Sequence, residues 1–159
     1  MHNHAFNNKQ LGSSMLEILV ALFILSVGLL GLASLQIASI KNINNAQFHS
    51  LATEYAYDMA ERMRSNRAAV ISGDYDNVVS TVTDPGCTVC STSGMAQFDA
   101  YQWNQKIQSD VKTGGLPEGV GTVNKNGDVF NITIAWKEQQ RSDNGGRVGD
   151  ASFTLNVQI

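Results

Sequence analysis

A long apolar run near the start of the chain sets the strongest limit on its fold. From Ile18 to Ile40 there is no charged residue, and Gln36 is the only strongly polar one. An α-helix of this length, with a rise of 1.5 Å per residue, is about 35 Å long, and the hydrocarbon core of a bilayer is about 30 Å thick. The sequence therefore predicts a helix that spans a membrane over about residues 18–40.

Three kinds of N-terminal segment contain such a run. A secretory signal peptide has a shorter apolar region, of about 7–15 residues, followed by an Ala-x-Ala-like cleavage site, so the length of this run disfavours it. A plain membrane anchor agrees with the composition. The third kind is a leader that is removed before the apolar segment. Glu17 favours this third kind, because a carboxylate at the start of a spanning segment costs free energy and an anchor gains nothing from it.

The residues before the run resemble a known leader. Residues 1–12 are mostly polar and end in Gly12, and Glu17 is the fifth residue after that glycine. This pattern resembles the prepilin family, in which a short leader is cut after a glycine and glutamate is the fifth residue of the mature chain. The resemblance implies that prepilin peptidase cuts between Gly12 and Ser13 on the cytoplasmic side, and that the new amine of Ser13 is methylated.

The resemblance also suggests a role for Glu17. Cleavage creates an α-amine on Ser13, which is mostly protonated near neutral pH because its reference pKa is about 8. In a filament core, the amine of one subunit can pair with Glu17 of a neighbour, and two charges that are each costly in an apolar bundle become tolerable together. Such a pair would fix the axial register of the subunits. Alternatively, Glu17 extends to the cytoplasmic interface of the membrane.

The helical pattern continues beyond the apolar run. No proline occurs before Pro85, and an apolar stripe recurs at intervals of four residues at Leu51, Tyr55, Met59 and Met63, which is one face of an α-helix. We predict one long helix over residues 13–67. Its first half is buried by lipid or by other subunits, and its second half packs on the head of the protein. Three arginines, Arg62, Arg64 and Arg67, are expected to form a solvated basic end.

Two segments of this helix resemble a narrower group. Residues 56–69, Ala-Tyr-Asp-Met-Ala-Glu-Arg-Met-Arg-Ser-Asn-Arg-Ala-Ala, and residues 28–32, Gly-Leu-Leu-Gly-Leu, resemble PilV-type minor pilins, the type IV pilus modification proteins. The resemblance implies a minor pilin that helps to initiate and assemble type IV pili, with attachment and twitching motility as outputs. It implies four kinds of partner: other minor and major pilins, prepilin peptidase, an inner-membrane assembly platform and membrane lipid. DNA would be involved indirectly if at all.

The implied location follows from the leader and the apolar run. The chain is expected to cross the inner membrane once, with its N-terminus in the cytoplasm and its head in the periplasm, and then to enter the pilus. A type II secretion pseudopilin shares the same N-terminal design and remains an alternative function.

Residues 68–159 are expected to form a small α+β head. Apolar and polar residues alternate over 129–136 and 153–159, and residues 125–128, Lys-Asn-Gly-Asp, indicate a hairpin between 120–124 and 129–136. This pattern predicts an antiparallel β-sheet that packs by one face on the second half of the long helix. The predicted elements are a helix over about 95–111, strands over 120–124, 129–136 and 153–159, an irregular connection over 72–92, and a mobile polar loop over 137–150.

The two cysteines of the chain, Cys87 and Cys90, both lie in the predicted head. An even number of cysteines suits a disulfide in an oxidising compartment, and the closed loop is so short that its entropic contribution is about 2 kcal/mol. A Cys-x-x-Cys pair is also typical of redox enzymes, where a helix N-terminus beside a βαβ core stabilises the thiolate. We favour a structural disulfide and keep a membrane-tethered periplasmic thiol oxidoreductase as an alternative of another class.

Charge and histidine content disfavour several other functions. The net charge of −3 argues against a general nucleic-acid binder, which would be basic. Histidine occurs only at His2, His4 and His49, so the predicted head cannot form a His-based triad or a His-ligated zinc site. The sequence also contains no phosphate-binding glycine-rich loop. We therefore expect no catalytic residues, no metal and no cofactor, and a protein that is not an enzyme.

Overall fold

The structure, a computed structural model, describes residues 14–140 and 147–159. These residues divide into two compact units, one that ends at Lys41 and one from Asn42 to Ile159. Helix α1, Met15–Ser65, is continuous through the boundary and contributes to both units. The predicted Gly12–Ser13 cleavage site lies outside the described residues.

The second unit combines the remainder of α1 with two further helices and one sheet. The four strands form an antiparallel sheet in the order β1-β2-β3-β4, with each strand hydrogen-bonded to the next in the chain. The elements that follow α1 are α2 (Arg67–Ser72), β1 (Asn77–Val78), α3 (Thr92–Ile107), a 3-10 turn (Val111–Thr113), β2 (Val120–Asn126), β3 (Val129–Gln140) and β4 (Arg147–Val157). The predicted α+β architecture, with a long helix packed on a small antiparallel sheet, is confirmed.

The core of this unit lies between α1, α3 and one face of the sheet. Its side chains come from the predicted helical stripe and from alternate strand residues, because successive residues of a strand point to opposite faces. Trp103 of α3 is fully buried and donates a hydrogen bond of 2.8 Å to the backbone oxygen of Tyr55 on α1. The largest fully buried side chains are Trp103, Trp136, Tyr75, Phe130, Met59, Met63, Ile107, Ile132, Ile134 and Val123.

A close approach between α3 and β2 requires glycine at position 121. A Cβ atom on Gly121 would lie 2.5 Å from the Trp103 ring and 2.6 Å from the Ile107 side chain. These distances are shorter than van der Waals contact, so a larger residue here would push the helix and the strand apart.

The helix boundaries differ from those predicted. α1 ends at Ser65, and the separate helix α2 follows from Arg67. α3 begins at Thr92, three residues before the predicted start, because the Ser91 side chain caps it by accepting a hydrogen bond of 3.1 Å from the Gly94 N–H. It ends at Ile107, four residues before the predicted end, and Val111 is exposed in the 3-10 turn that follows.

The prediction of a mobile loop over residues 137–150 is wrong at both of its ends. β3 continues to Gln140 and β4 begins at Arg147, so residues 137–140 pair with residues 147–150. The Lys137 Nζ atom lies 2.6 Å from the Asp150 Oδ1 atom. These residues lack an apolar face, so the hydrophobic pattern gave no sign of a strand, whereas backbone pairing and opposite charges stabilise one.

Candidate functional site

The apolar half of α1 carries most of the exposed large apolar side chains of the described residues. Every large apolar side chain from Met15 to Ile40 is between 50 and 81% exposed. By length and composition, α1 is the one helix among the described residues that could cross a membrane. Soluble monomers rarely expose an apolar patch of this extent, which favours burial of this segment by lipid or by other apolar helices.

Two of the serines within this apolar half form hydrogen bonds inside the helix itself. The Ser26 hydroxyl donates a hydrogen bond of 2.7 Å to the Leu22 backbone oxygen, and the Ser34 hydroxyl donates one of 3.1 Å to the Leu30 backbone oxygen. A polar group left unpaired in lipid costs several kcal/mol. These bonds therefore allow both serines to enter an apolar environment.

Glu17, the residue assigned to an assembly pair, lies in the first turn of α1 and is exposed. The first turn of a helix carries unpaired N–H groups and the positive end of the helix dipole, which favours a carboxylate there. The N-terminus of the helix thus offsets part of the free-energy cost of placing the charged Glu17 in an apolar environment. Its predicted partner, the amine of Ser13, lies outside the described residues, so the pairing stays a prediction.

Cys87 and Cys90 form a disulfide in the second unit. Cys90 directly precedes Ser91, the capping residue of α3. A position near a helix N-terminus is one of two features that a redox-active cysteine pair requires. The other feature, a βαβ core, is missing from the described residues, where every strand pairing is antiparallel. The arrangement closes a local turn in front of α3.

The prediction of a solvated basic end is wrong for Arg62. Its side chain is only 19% exposed, and its guanidinium lies 3.1 Å from carboxylate oxygens of both Asp58 and Asp99. Burial alone would lower the pKa of Arg62, but the hydrogen bonds and charges of the two aspartates outweigh burial and raise the pKa. Arg64 is more exposed and pairs with Glu61 on the same helix.

Asp99 is the residue of this ion pair that the sequence interpretation missed. It is buried on α3 and also accepts a hydrogen bond of 2.6 Å from the Tyr75 hydroxyl. Burial and this hydrogen bond raise the pKa of Tyr75. The sequence did contain a sign of this pairing. The Asp99 carboxylate lies between Ala96 and Ala100 on the apolar face of a helix, and a buried charge requires a partner.

Asn66 extends this cluster to the start of α3. It lies between α1 and α2, and its side-chain amide donates hydrogen bonds to the Tyr75 hydroxyl at 3.3 Å and to the Thr92 backbone oxygen at 2.8 Å. The polar cluster of Arg62, Asn66, Tyr75 and Asp99 therefore joins the C-terminal end of α1 to α3. These interactions hold the head together.

His49 is the one histidine of the described residues. Its Nε2 atom lies 3.4 Å from Glu138 on β3, and its ring packs edge-on against Trp136 at 4.8 Å between ring centres. Residues 14–140 and 147–159 contain no group of three or more histidine, cysteine, aspartate or glutamate side chains that could hold a metal ion.

Comparisons with known families match residues 7–101 of the chain through two family models. The model of the prokaryotic N-terminal methylation motif matches residues 7–33, and the model of type IV pilin Tt1218 matches residues 34–101. The two matches are adjacent and together include the apolar half of α1, the polar cluster and the disulfide. Strands β2, β3 and β4 lie beyond both matches. No curated protein and no solved structure matches the chain significantly.

Proposed function

Because the chain is a type IV pilin-like protein, we propose that it is a minor pilin that helps to initiate and assemble type IV pili. Proteins of this family are structural, and this chain would act by helix packing without catalysis. The observation that carries the proposal is the apolar half of α1, whose large side chains are all at least half exposed. A filament core of parallel helices would cover them.

The proposed mechanism has two steps. Prepilin peptidase first removes residues 1–12, and the amine of Ser13 is methylated. Residues 18–40 then hold the chain in the inner membrane, with residues 68–159 as a periplasmic head, until the assembly platform moves it into a filament. The match to the methylation motif over residues 7–33 supports this sequence of events, as does the length of the apolar helix.

The proposed role of Glu17 is to pair with the Ser13 amine of a neighbouring subunit. Its place in the first turn of α1 supports this role, because the amine and the carboxylate then lie at the same end of each helix. In an apolar core, each charge would compensate the other, and a subunit shifted along the axis would leave both unpaired. The pair would therefore select one axial register.

The assignment to the PilV type rests on residues 56–69. Those residues form the end of α1 and the beginning of α2 and contribute Arg62 and Asn66 to the polar cluster. We propose that the partners are other minor pilins and the major pilin, and that attachment and twitching motility are the outputs. A type II secretion pseudopilin remains the nearest alternative, because a methylation motif and an apolar helix suit both systems.

A pilus preparation from a deletion strain tests the proposed function. We expect the strain to lose most surface pili while the major pilin stays in the membrane, and the wild-type gene in trans to restore them. Normal piliation combined with failed protein secretion would reject the minor pilin and favour the pseudopilin. The mass of the membrane form tests processing separately, because cleavage predicts a chain that begins at Ser13.

A further inference from the structure

Two contacts set the direction in which β3 runs along α1. The His49 Nε2 atom lies 3.4 Å from the Glu138 carboxylate. One helical turn earlier, the Asn45 side-chain amide donates a hydrogen bond of 2.8 Å to the Gln139 backbone oxygen. As β3 proceeds from Glu138 to Gln139, its partner on α1 therefore moves back from His49 to Asn45. β3 thus runs toward the N-terminal end of α1, which is the end that carries the apolar run.

The distance along α1 from the apolar run to Asn45 is short. The run ends at Ile40, and Asn45 follows it by five residues of the same helix, which is a rise of about 7.5 Å. The headgroup layer adds about 5–7 Å to each side of the hydrocarbon core of a bilayer. In the proposed membrane-held form, with residues 18–40 in the hydrocarbon core, the contact between Asn45 and Gln139 therefore lies at the outer edge of the headgroup layer.

The next pair of strand residues lies closer to the bilayer than this contact. Gln139 of β3 is directly paired with Val148 of β4, and Gln140 with Arg147. One residue of a strand advances the chain by up to about 3.4 Å, so the pair of Gln140 and Arg147 lies inside the headgroup layer. Arg147 is exposed, and Val148 beside it is 59% exposed. Both side chains are therefore accessible to lipid.

The side chains at these positions match the chemistry of the headgroup layer. An arginine guanidinium binds phosphate oxygens through two parallel hydrogen bonds, and long basic side chains extend to the membrane interface. Lys137 on the neighbouring strand is paired with Asp150, whereas Arg147 forms no ion pair with any residue that the structure describes. The charge that this end of the sheet presents to the headgroups is therefore positive, opposite to that of the phosphates.

We propose that Arg147 and Val148 form a second contact between the membrane-held protein and the bilayer. The Arg147 guanidinium binds the phosphate of a phospholipid headgroup, and the Val148 side chain enters the headgroup layer. The contact rests on the proposed insertion of residues 18–40, because lipid around that segment continues to the level of these strand residues. It exists only while the chain is in the membrane, so it is lost when the chain enters a filament.

Fluorescence quenching in vesicles tests this contact. The full chain is reconstituted into vesicles that contain phosphatidylcholine and phosphatidylglycerol in equal amounts. A fluorophore is attached to one added cysteine, which is the only free thiol because both natural cysteines form a disulfide. The test variant is Val148→Cys, and a third variant, Leu30→Cys, reports the insertion of α1. Circular dichroism verifies that every variant is folded.

The matched control is Val111→Cys, at an exposed valine on another part of the head. Val111 belongs to the 3-10 turn that precedes Gly114, and the Gly114 backbone oxygen accepts a hydrogen bond of 2.6 Å from the Tyr55 hydroxyl. Tyr55 is ten residues farther along α1 than Asn45, a rise of about 15 Å. The control label therefore lies well outside the headgroup layer.

We expect a phospholipid with a nitroxide on its headgroup to quench the label at position 148 at least about threefold more strongly than the label at position 111, because the two differ by about 15 Å in height. A nitroxide in the middle of the acyl chain should quench the label at position 30 most strongly. Adding Arg147→Gln to Val148→Cys should reduce headgroup quenching at least about twofold, since one basic residue at an anionic surface strengthens binding about fivefold. Arg67→Gln, at an exposed position of α2, should leave it unchanged.

Three outcomes would overturn the proposal. Equal headgroup quenching at positions 148 and 111, with the label at position 30 inside the bilayer, would reject the second contact and leave the proposed function intact. Equal quenching with and without Arg147→Gln would reject the binding of phosphate by Arg147. A label at position 30 that lies outside the bilayer would reject the proposed membrane insertion and the second contact together.

Discussion

The guanidinium of Arg62 lies 3.1 Å from the Oδ1 atom of Asp99 and joins α1 to α3 across a largely buried interface. The same guanidinium contacts Asp58 one turn earlier on α1 at 3.1 Å. The position of the head on α1 therefore depends on a paired charge that solvent screens only partly. The contribution of this ion pair to the stability of the head can be measured in the purified full chain.

Replacing Arg62 with methionine should destabilise the head by about 1–3 kcal/mol, because Asp99 would keep a buried charge with one partner fewer. Urea unfolding in detergent, followed by tryptophan fluorescence, measures this change through Trp103 and Trp136. The matched control is Arg64→Met, which removes an exposed pair on the same helix and should cost less than about 1 kcal/mol. Equal losses for the two variants would contradict the structural role of Arg62.

The stability contributed by Tyr75 should be lost in alkaline solution. The pKa of its hydroxyl is raised in the folded state by burial and by the hydrogen bond to Asp99. Unfolding releases a proton once the pH exceeds the unfolded pKa of about 10, so this contribution is complete below pH 10 and declines above it by at most about 1.4 kcal/mol per pH unit. The difference in unfolding free energy between wild type and Tyr75→Phe should therefore shrink from pH 9 to pH 11. A constant difference would contradict the account.

Gly121→Ala should destabilise the head by about 1–3 kcal/mol, because the new methyl group would overlap the Trp103 ring. Trp103→Phe removes the ring atoms that the methyl group would meet. In a double-mutant cycle, the combined variant should therefore lose at least about 0.5 kcal/mol less than the sum of the single variants. Additive losses would show that the close approach does not set the requirement for glycine.

Removing the disulfide should have a small effect on stability. Cys87→Ser with Cys90→Ser should cost at most about 2 kcal/mol, because the bond closes a very short loop, and piliation should be retained.

The purified wild-type protein should fail to catalyse the reduction of insulin by dithiothreitol. Turnover that disappears in the double variant would establish the oxidoreductase alternative.

The sequence predicted the architecture where its hydrophobic pattern was strong. The apolar run is long and uninterrupted, and the four-residue stripe through Tyr55 and Met59 and the alternation in β3 each have a clear period. Each of these segments forms the predicted helix or strand. β1 has only two residues, Asn77 and Val78, which is too short for any period to be visible. The strand ends at residues 137–140 and 147–150 were also missed. They have no apolar face, and backbone pairing between β3 and β4 determines them.

The candidate site was predictable only in part. Cys87 and Cys90 are close in sequence, so their pairing could be anticipated. Arg62 and Asp99 are 37 residues apart, and their contact depends on how α3 packs against α1, which local patterns do not encode. The pairing of Asn124 with Asn131 and of Asn131 with Asn156 likewise depends on strand register, because these residues form a row only after the strands are aligned.

The amount of the chain in sheared pili, relative to its amount in the membrane, tests the assembly account most directly. For Glu17→Ala, we predict a ratio at least tenfold below wild type, because the unpaired amine of a neighbour costs at least about 1.4 kcal/mol in an apolar core. Glu54→Ala, at an exposed position of the same helix, should leave the ratio unchanged. Equal incorporation of Glu17→Ala and wild type would contradict the account.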